Sequence, residues 1–317
     1  MNMLLDYVVT SVAIGMTFLY GCVGEILTEK AGHLNLGIPG IMCIGGASGC
    51  LALKAFYGLP SFLVVIFAII ASLLGGALMG AIYCFLTVTL KANQNVTGLA
   101  MTTFGVGATK FIMSSMSGAS MKSYLYALKY FRFPFAQSTN GFKYWGILMF
   151  AAIAIALATS YVLNRTRVGL HLRAVGENPA TADAVGINVT LYKYGATCIG
   201  SAIAALGGLY YIMDYSGSNE SYKTIESLGW LAVALVIFTL WRPNISLLGS
   251  IIFGLLYLAG ARIPTLLGIN LGMSATPLLQ MLPYVVTVIV LIVTSISKKR
   301  ENQPPASLGI PYFREER

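Results

Sequence analysis

The chain has 317 residues, of which 57% are apolar and 10% are charged, and its net charge is +9. Soluble domains carry about 25% charged residues, so this composition excludes an ordinary cytosolic enzyme and provides apolar material for about nine membrane helices. The basic excess is typical of the loops that orient a membrane protein, and it indicates membrane lipid and no nucleic-acid partner.

Apolar runs that end at charged, proline or polar clusters divide the chain into candidate membrane spans. Nine are predicted, at about Met3–Ile26, Leu36–Leu53, Ser61–Leu90, Val96–Ser115, Tyr144–Leu163, Leu191–Met213, Ser227–Trp241, Ile245–Ile263 and Pro277–Ser297. We therefore predict an all-α, polytopic transmembrane bundle over residues 1–297, followed by a basic cytoplasmic tail over residues 298–317.

The distribution of basic residues predicts the orientation of the bundle. Twelve of the 20 Lys and Arg residues fall in one set of alternate connections, which includes the tail. Cytoplasmic loops carry the larger share of Lys and Arg. We therefore predict a multi-pass protein with its N-terminus outside and its C-terminus in the cytoplasm.

Small residues recur at helical spacing within the spans and predict close helix packing. Three such sets occur: Gly45 with Gly49, Gly76 with Gly80, and Gly200 with Ala204 and Gly208. Membrane helices associate by close approach of their backbones rather than by apolar burial. Since any polytopic bundle needs these seams, they identify no function.

The predicted outer connection over residues 116–143 combines basic and aromatic residues. The aromatic ones are Tyr124, Tyr126, Tyr130, Phe131, Phe133 and Phe135. Aromatic rings and cations settle at the membrane interface, so an interfacial helix accounts for this composition. A docking surface for an external partner is the alternative.

A polar break separates the first two predicted spans, in the sequence from Gly32 to Gly40. Three glycines and Pro39 prevent a regular helix there and leave backbone groups near Asn35 to be satisfied. Broken segments of this kind mark the substrate path in transporters. A polar turn between two spans accounts for the pattern equally well.

A second polar cluster precedes the fourth predicted span. It places Asn93, Gln94 and Asn95 in succession, followed by Thr97. Amides both donate and accept hydrogen bonds, so they can bind a neutral hydroxylated or heterocyclic solute. An ordinary capped loop is the alternative.

The sequence offers no energy source and no catalytic chemistry of its own. We expect no acidic residue clearly within a span apart from Asp6 and Asp214 near span ends, which disfavours an ion-coupled carrier. Gly105 to Lys110 lacks the ending of a phosphate-binding loop. Five scattered cysteines and two separated histidines predict no metal site, no cofactor and no catalytic residues.

The predicted cytoplasmic loop from Arg165 to Asn188 contains the signals of a short helix. Asn178 is a suitable N-cap, Pro179 suits the first helical position, and Gly186 can end the helix. The loop therefore predicts a helix lying across the cytoplasmic face. By this pattern alone it is a structured loop.

Several of these segments together resemble one family. The run from Gly169 to Gly186 looks like the coupling-helix region of inner-membrane ABC importer permeases of the branched-chain amino acid, ribose and nucleoside superfamily. The segments Thr28 to Gly40, Asn93 to Gly98, Pro243 to Gly254 and Leu308 to Arg317 are similar to its simple-sugar and nucleoside branch. One departure is Pro39, where an acidic residue is common in that branch.

The resemblance implies a bacterial inner-membrane permease that has no ATP-binding site of its own. It implies three kinds of partner: a second related permease, one or more ABC ATPase subunits, and a lipid-anchored external binding protein. Contact with the ATPase is expected at Arg173, Glu177, Asn178, Pro179, Ala180 and Gly186. The solute path is expected beside Asn35, Asn93, Gln94, Asn95 and Thr97.

Nucleosides are the expected solute. Simple sugars and branched-chain amino acids are the alternatives within the family. A stand-alone channel or facilitator for small neutral solutes is the alternative outside it, because it would share the bundle and the polar breaks without needing an ATPase.

Overall fold

The computed structural model describes residues 3–116, 130–133, 141–268, 279, 281–297 and 303–313, and these ranges form a helical bundle without strands. The helices are α1 (Met3–Glu29), α2 (Ile38–Ala55), α3 (Ser61–Cys84), α4 (Gln94–Ser114), α5 (Ile147–Arg165), α6 (Arg167–Glu177), α7 (Pro179–Ala184), α8 (Val189–Tyr210), α9 (Ile225–Phe238), α10 (Pro243–Leu267) and α11 (Leu282–Ser297). Short π-helical segments at Phe85–Thr89 and Tyr211–Ser216 continue α3 and α8.

The predicted all-α membrane bundle is confirmed. Within the described ranges, eight helices are long and apolar enough to cross a membrane, and α11 contains a shorter apolar helix. The seventh predicted span, Ser227–Trp241, is longer in the structure, because a 3₁₀ segment at Asn219–Thr224 directly precedes α9. The longest predicted span is α3 together with its π-helical continuation.

The centre of the bundle is formed by α1, α2 and α8, which pack against one another and against most other spans. In the most apolar stretch of α8 and its continuation 83% of the residues are buried, compared with 33% in α3. The outward face of α3 exposes large apolar side chains, among them Phe62, Leu74 and Leu78. This face is suited to lipid, because lipid solvates apolar side chains that water would not.

The predicted small-residue seams hold the central helices together. A Cβ atom built on Gly45 of α2 would lie 2.2 Å from the carbonyl oxygen of Ala205, and one built on Gly208 of α8 would lie 1.8 Å from that of Met42. A Cβ atom built on Gly76 of α3 would lie 2.5 Å from the carbonyl oxygen of Ser201. These backbones can approach so closely only because no side chain stands between them.

The helices α6 and α7 lie at one end of the bundle, together with residues 303–313 of the tail. Both the backbone N–H and the hydroxyl of Ser307 donate to the carbonyl oxygen of Gly176, and the Tyr312 hydroxyl donates to Asp183 Oδ2 at 2.9 Å. The tail and the predicted coupling region therefore share one face.

The predicted outer connection and the basic ends of the tail lie mostly outside the described residues. This holds for Tyr124, Tyr126 and Phe135, and for all the tail residues from Arg314 to Arg317. Of the aromatic residues that are described, Tyr130 and Phe133 are exposed, whereas Phe131 is fully buried in the core.

Candidate functional site

The polar break between α1 and α2 lies inside the protein. Asn35 and His33 are fully buried, and the backbone there is held by side chains from other helices. The Leu34 N–H donates to Gln94 Oε1 at 2.8 Å, and the Tyr83 hydroxyl donates to the Leu34 carbonyl oxygen. The break is therefore a built element of the bundle rather than a surface turn.

Asn35 is the most enclosed amide of this break. Its backbone N–H donates to Glu25 Oε1 at 3.0 Å, and its Oδ1 accepts from the Gly37 N–H at 2.9 Å. Within the described part of the chain its buried Nδ2 has no hydrogen-bond partner. A buried donor without a partner is costly, so this amide group is suited to a polar ligand.

Glu25 and Glu29 correct the expectation that no acidic residue lies clearly within a span apart from Asp6 and Asp214. Both carboxyl groups are on the last turns of α1, which extends to Glu29, and both are buried. The Trp241 indole N–H donates to Glu29 Oε2, and Glu25 Oε2 has no partner among the described residues. Their spacing of four residues, directly before the break, is the sequence signal for this pair, since it places both on one helix face.

A strained turn between α9 and α10 carries Trp241 to Glu29. Leu240 and Trp241 have φ angles of 54° and 55°, in the left-handed region that side chains disfavour. Such conformations cost about 1–3 kcal/mol and persist where the surroundings impose them. Here the buried indole and its carboxylate partner supply that restraint.

The amide cluster before α4 divides between the surface and the interior. Asn93 is exposed, and its Oδ1 caps α4 by accepting from the backbone N–H groups of Asn95 and Val96. Asn95 is also exposed, whereas Gln94 and Thr97 are buried. The structure thus brings Gln94 to the break around Asn35, and it places Asn93 in the capping arrangement that the sequence left open.

His33 lies in the break, outside the spanning helices, and its ring is neutral. Burial and the nearby ammonium group of Lys193 lower the pKa of His33 to about 3. Its Nδ1 is 3.2 Å from Thr197 Oγ1 of α8, and its ring packs edge-on against Tyr83. Neither the burial of His33 nor that of Lys193 has a signal in the local sequence.

The predicted short helix on the tail-side face is confirmed as α7. Asn178 Oδ1 accepts from the Thr181 N–H at 3.0 Å, Pro179 is the first residue, and Gly186 follows the helix with φ of 87°. The preceding residues form a second helix, α6, which the sequence prediction missed. It is capped by Thr166, whose hydroxyl accepts from the Gly169 N–H.

The surface of α6 and α7 presents the residues expected to contact an ATPase. Glu177, Asn178 and Gly186 are exposed, and Arg173, Pro179 and Ala180 are half-buried. Val185, between α7 and Gly186, is an apolar side chain with 71% exposure. Single exposed apolar residues are common on protein surfaces, so Val185 by itself identifies no partner.

The polar break and this surface touch each other directly. A Cβ atom built on Gly176 would lie 2.2 Å from the Lys30 carbonyl oxygen, and one built on Gly32 would lie 3.3 Å from Gly176 Cα. Gly32 has φ of 79°, which a glycine adopts without strain. The backbone of α6 therefore packs directly against the start of the break.

At the opposite end of the bundle, Asp214 is fully buried in the π-helical continuation of α8. The Arg132 guanidinium donates to the carbonyl oxygens of Asp214 and Tyr215, and it lies over the Tyr144 ring. The sequence placed Asp214 near a span end, and only the structure shows it enclosed.

The structure is a bundle of membrane helices with a buried polar break, and the break contacts a capped helix pair on one face. These features define a polytopic membrane protein of the transport class. The chain belongs to the family described as branched-chain amino acid transport system / permease component, whose model matches residues 7–293.

Three relatives show what this chain is similar to. The chain is 31% identical to the nucleoside ABC transporter permease protein NupC of Lactococcus lactis, over 86% of this chain and 87% of the relative. It is 26% identical to the guanosine ABC transporter permease protein NupQ of Bacillus subtilis, over 98% of both chains. It is 32% identical to the putative glucose ABC transporter permease protein TsgC13 of Haloferax volcanii, over 74% of this chain and 70% of the relative.

Proposed function

We propose that this protein is the permease subunit of an ATP-driven ABC importer that carries nucleosides across the bacterial inner membrane. The observation that carries the proposal is the similarity to relatives named for nucleoside and guanosine transport, which extends over 86% and 98% of the chain. The buried polar break supports it, because a neutral solute with hydroxyl and ring nitrogen groups needs amide partners rather than charges.

In this proposal the solute passes beside Asn35, Gln94 and Thr97, with Asn93 and Asn95 at the mouth of the path. The Nδ2 atom of Asn35 and the Nε2 atom of Gln94 are both buried and lack hydrogen-bond partners among the described residues. Two donors held in one region can bind carbonyl, hydroxyl or ring nitrogen acceptors of a passing nucleoside. Replacing either amide with Leu is expected to lower uptake while the complex still assembles.

The coupling proposal rests on the contact between α6 and the polar break. A partner ATPase that pushes on Arg173, Glu177, Asn178, Pro179, Ala180 and Gly186 would move Gly176 against Lys30 and Gly32. Glu177 also stabilises positive charge at the break: burial lowers the pKa of Lys30, and the Glu177 carboxylate opposes that shift. This arrangement would switch the bundle between outward-open and inward-open states.

The partners follow from the same proposal: a second related permease, ABC ATPase subunits and a lipid-anchored external binding protein. Two different nucleoside ABC transporter permease proteins of Lactococcus lactis, NupC and NupB, are similar to this chain, at 31% and 22% identity. This favours pairing with a paralogue. The N-terminus would lie outside and the tail, with α6 and α7, in the cytoplasm.

A competition assay tests the solute. The complete complex is reconstituted, and uptake of labelled adenosine is measured against excess purine nucleosides, pyrimidine nucleosides, ribose, glucose and leucine. Nucleosides alone should compete. A sugar is the second candidate solute, because TsgC13 is named for glucose transport at a similar identity. Competition by ribose, glucose or leucine instead of nucleosides would refute the assignment.

A charge reversal tests the coupling residues. Glu177→Lys should abolish uptake while ATP hydrolysis continues, because the exposed carboxylate contacts the ATPase and insertion does not depend on it. The matched control is Lys54→Glu, a charge reversal at an exposed residue in the last turn of α2, at the end of that helix opposite the break. Normal uptake by Glu177→Lys would remove Glu177 from the coupling surface.

A further inference from the structure

A polar pocket of about 490 Å³ opens on the tail-side face of the bundle, beside α7. We call it the tail pocket. Its lining comes from the start of α4, the start of α8, the break and the tail, and it includes His33, Lys91, Gln94, Asp183, Lys193 and Tyr312. Its volume is within the range of pockets that hold small molecules.

The tail pocket is lined by the ammonium group of Lys193, which has no ion pair among the described residues. The Lys193 side chain is only 3% exposed, and it forms no hydrogen bond or ion pair with any residue that the structure describes. The protein encloses the stem of this side chain and holds its ammonium group at the pocket wall, where an anion would compensate the charge. Lys193 therefore points to an anionic ligand.

Other groups around the pocket also favour a negatively charged ligand. Gln94 is 3% exposed, and its buried Nε2 has no partner among the described residues. Asn188, Val189 and Thr190 place the N-terminus of the 22-residue helix α8 at the pocket, where the helix dipole favours negative charge. Lys91 adds a second ammonium group, held 4.3 Å from the centre of the Phe313 ring.

Among the described residues of the lining, the other titratable groups form no ion pair with Lys193. His33 is neutral, since its pKa is lowered to about 3. Asp183 is the one carboxylate among the described residues of the lining, and its Oδ2 accepts from the Tyr312 hydroxyl. Two ammonium groups and a helix N-terminus thus outweigh the single carboxylate in the described part of the lining.

From this geometry we propose that the tail pocket binds a small phosphate-bearing anion of nucleotide size from the cytosol. The phosphate oxygens would accept hydrogen bonds from the ammonium groups of Lys193 and Lys91. The Tyr312 ring and the apolar edges of Val88 and Ile187 would contact the organic part. The inference goes beyond the transport function: it needs the charge of the ligand, whereas the solute path suits a neutral compound.

Occupancy of the pocket would restrain α7. The ligand would join α4 and α8 to Tyr312, and Tyr312 is bonded to Asp183 of α7. Held in this way, α7 could not follow an ATPase, and uptake would fall. A kinase-type reaction that phosphorylates an imported nucleoside yields an anion of this class, so the site would report accumulated product.

The test measures ligand-dependent thermal stability of the complete complex in phosphatidylcholine nanodiscs. AMP, inorganic phosphate and adenosine are titrated into complexes that carry the wild-type chain or Lys193→Met. Comparison of the two chains isolates this pocket from nucleotide sites on the ATPase subunits. Lys54→Met, an exposed substitution outside the pocket, is the control.

We expect AMP to stabilise the wild-type complex, inorganic phosphate to do so more weakly, and Lys193→Met to weaken AMP binding by about tenfold or more. Without ligand, Lys193→Met should be at least as stable as the wild type, because Met fills the space of the enclosed stem and removes a charge that has no ion pair among the described residues. Any stabilisation by adenosine should be the same in both chains, which keeps this test separate from that of the transported solute.

Equal AMP affinity in the wild-type and Lys193→Met complexes would overturn the proposal. So would a loss of ligand-free stability in Lys193→Met, because Lys193 would then serve the fold. The last measurement uses nanodiscs that contain phosphatidylglycerol. If this lipid stabilises the complex in a Lys193-dependent way and AMP does not, the ligand is a lipid headgroup, and the proposal of a cytosolic ligand is overturned.

Discussion

The contact between α1 and α8 can be tested by adding one methyl group at Gly200. A Cβ atom at this position would lie 2.3 Å from the Gly24 carbonyl oxygen and 2.6 Å from Thr28 Oγ1. Even close carbon–oxygen contacts between helices are about 3.3 Å long. Gly200→Ala therefore requires the two central helices to separate by about 1 Å.

The expected cost follows from two opposing effects. Overpacking of a tight core costs about 1–3 kcal/mol, and the upper end applies here because the obstacle is helix backbone rather than the end of a flexible side chain. Ala is favoured over Gly within a helix by about 1 kcal/mol. We expect Gly200→Ala to lower the free energy of unfolding by about 2 kcal/mol.

Gly195 of the same helix provides the matched control, because a Cβ atom built there meets nothing within 4 Å. Gly195→Ala should therefore keep the helix-propensity gain of up to about 1 kcal/mol. Both variants are compared with the wild type by thermal unfolding of the purified complex in detergent. If Gly200→Ala proves as stable as Gly195→Ala, the backbone contact between α1 and α8 does not have the geometry described above.

Three further predictions concern the break and the helices around it. Trp241→Phe removes the donor to the buried Glu29 carboxylate and should cost about 1.5–3 kcal/mol in thermal unfolding. The control Trp145→Phe removes a hydrogen bond to the carbonyl oxygen of Val9 and should cost about 1 kcal/mol. Equal losses in the two variants would contradict the role of the carboxylate. Asn178→Ala should destabilise α7 by about 1 kcal/mol and speed amide hydrogen exchange at Thr181. Asn178→Asp keeps the capping oxygen and should exchange like the wild type. Unchanged exchange in Asn178→Ala would show that the cap is dispensable. The pKa of His33 is about 3 in the folded protein and about 6.5 in the unfolded chain, so its contribution to stability is complete above pH 6.5 and falls by about 2 kcal/mol at pH 5. His33→Asn should therefore lose less stability than the wild type between pH 6.5 and pH 5. Parallel stability curves for the two chains would refute the assignment.

The sequence determined those features of this protein that depend on local patterns. Hydropathy fixed the spans because each needs about 20 apolar residues, and the spacing of Gly45, Gly76 and Gly200 marked the seams. The ends of α7 could also be predicted, since Asn178, Pro179 and Gly186 are suited to helix ends and the contacts there are with residues only a few positions away. The family resemblance added the predicted coupling role and the expected partners, which no local pattern contains.

Only the tertiary structure decided which polar groups are enclosed. Trp241 donates to Glu29 across 212 positions of sequence, and His33 meets Thr197 across 164. The same packing buries Gln94 and leaves its neighbours Asn93 and Asn95 exposed, although the three amides are chemically similar. The physical reason is that burial of a side chain depends on which helices pack around it, and contacts between helices distant in sequence leave no periodic signal in any one of them.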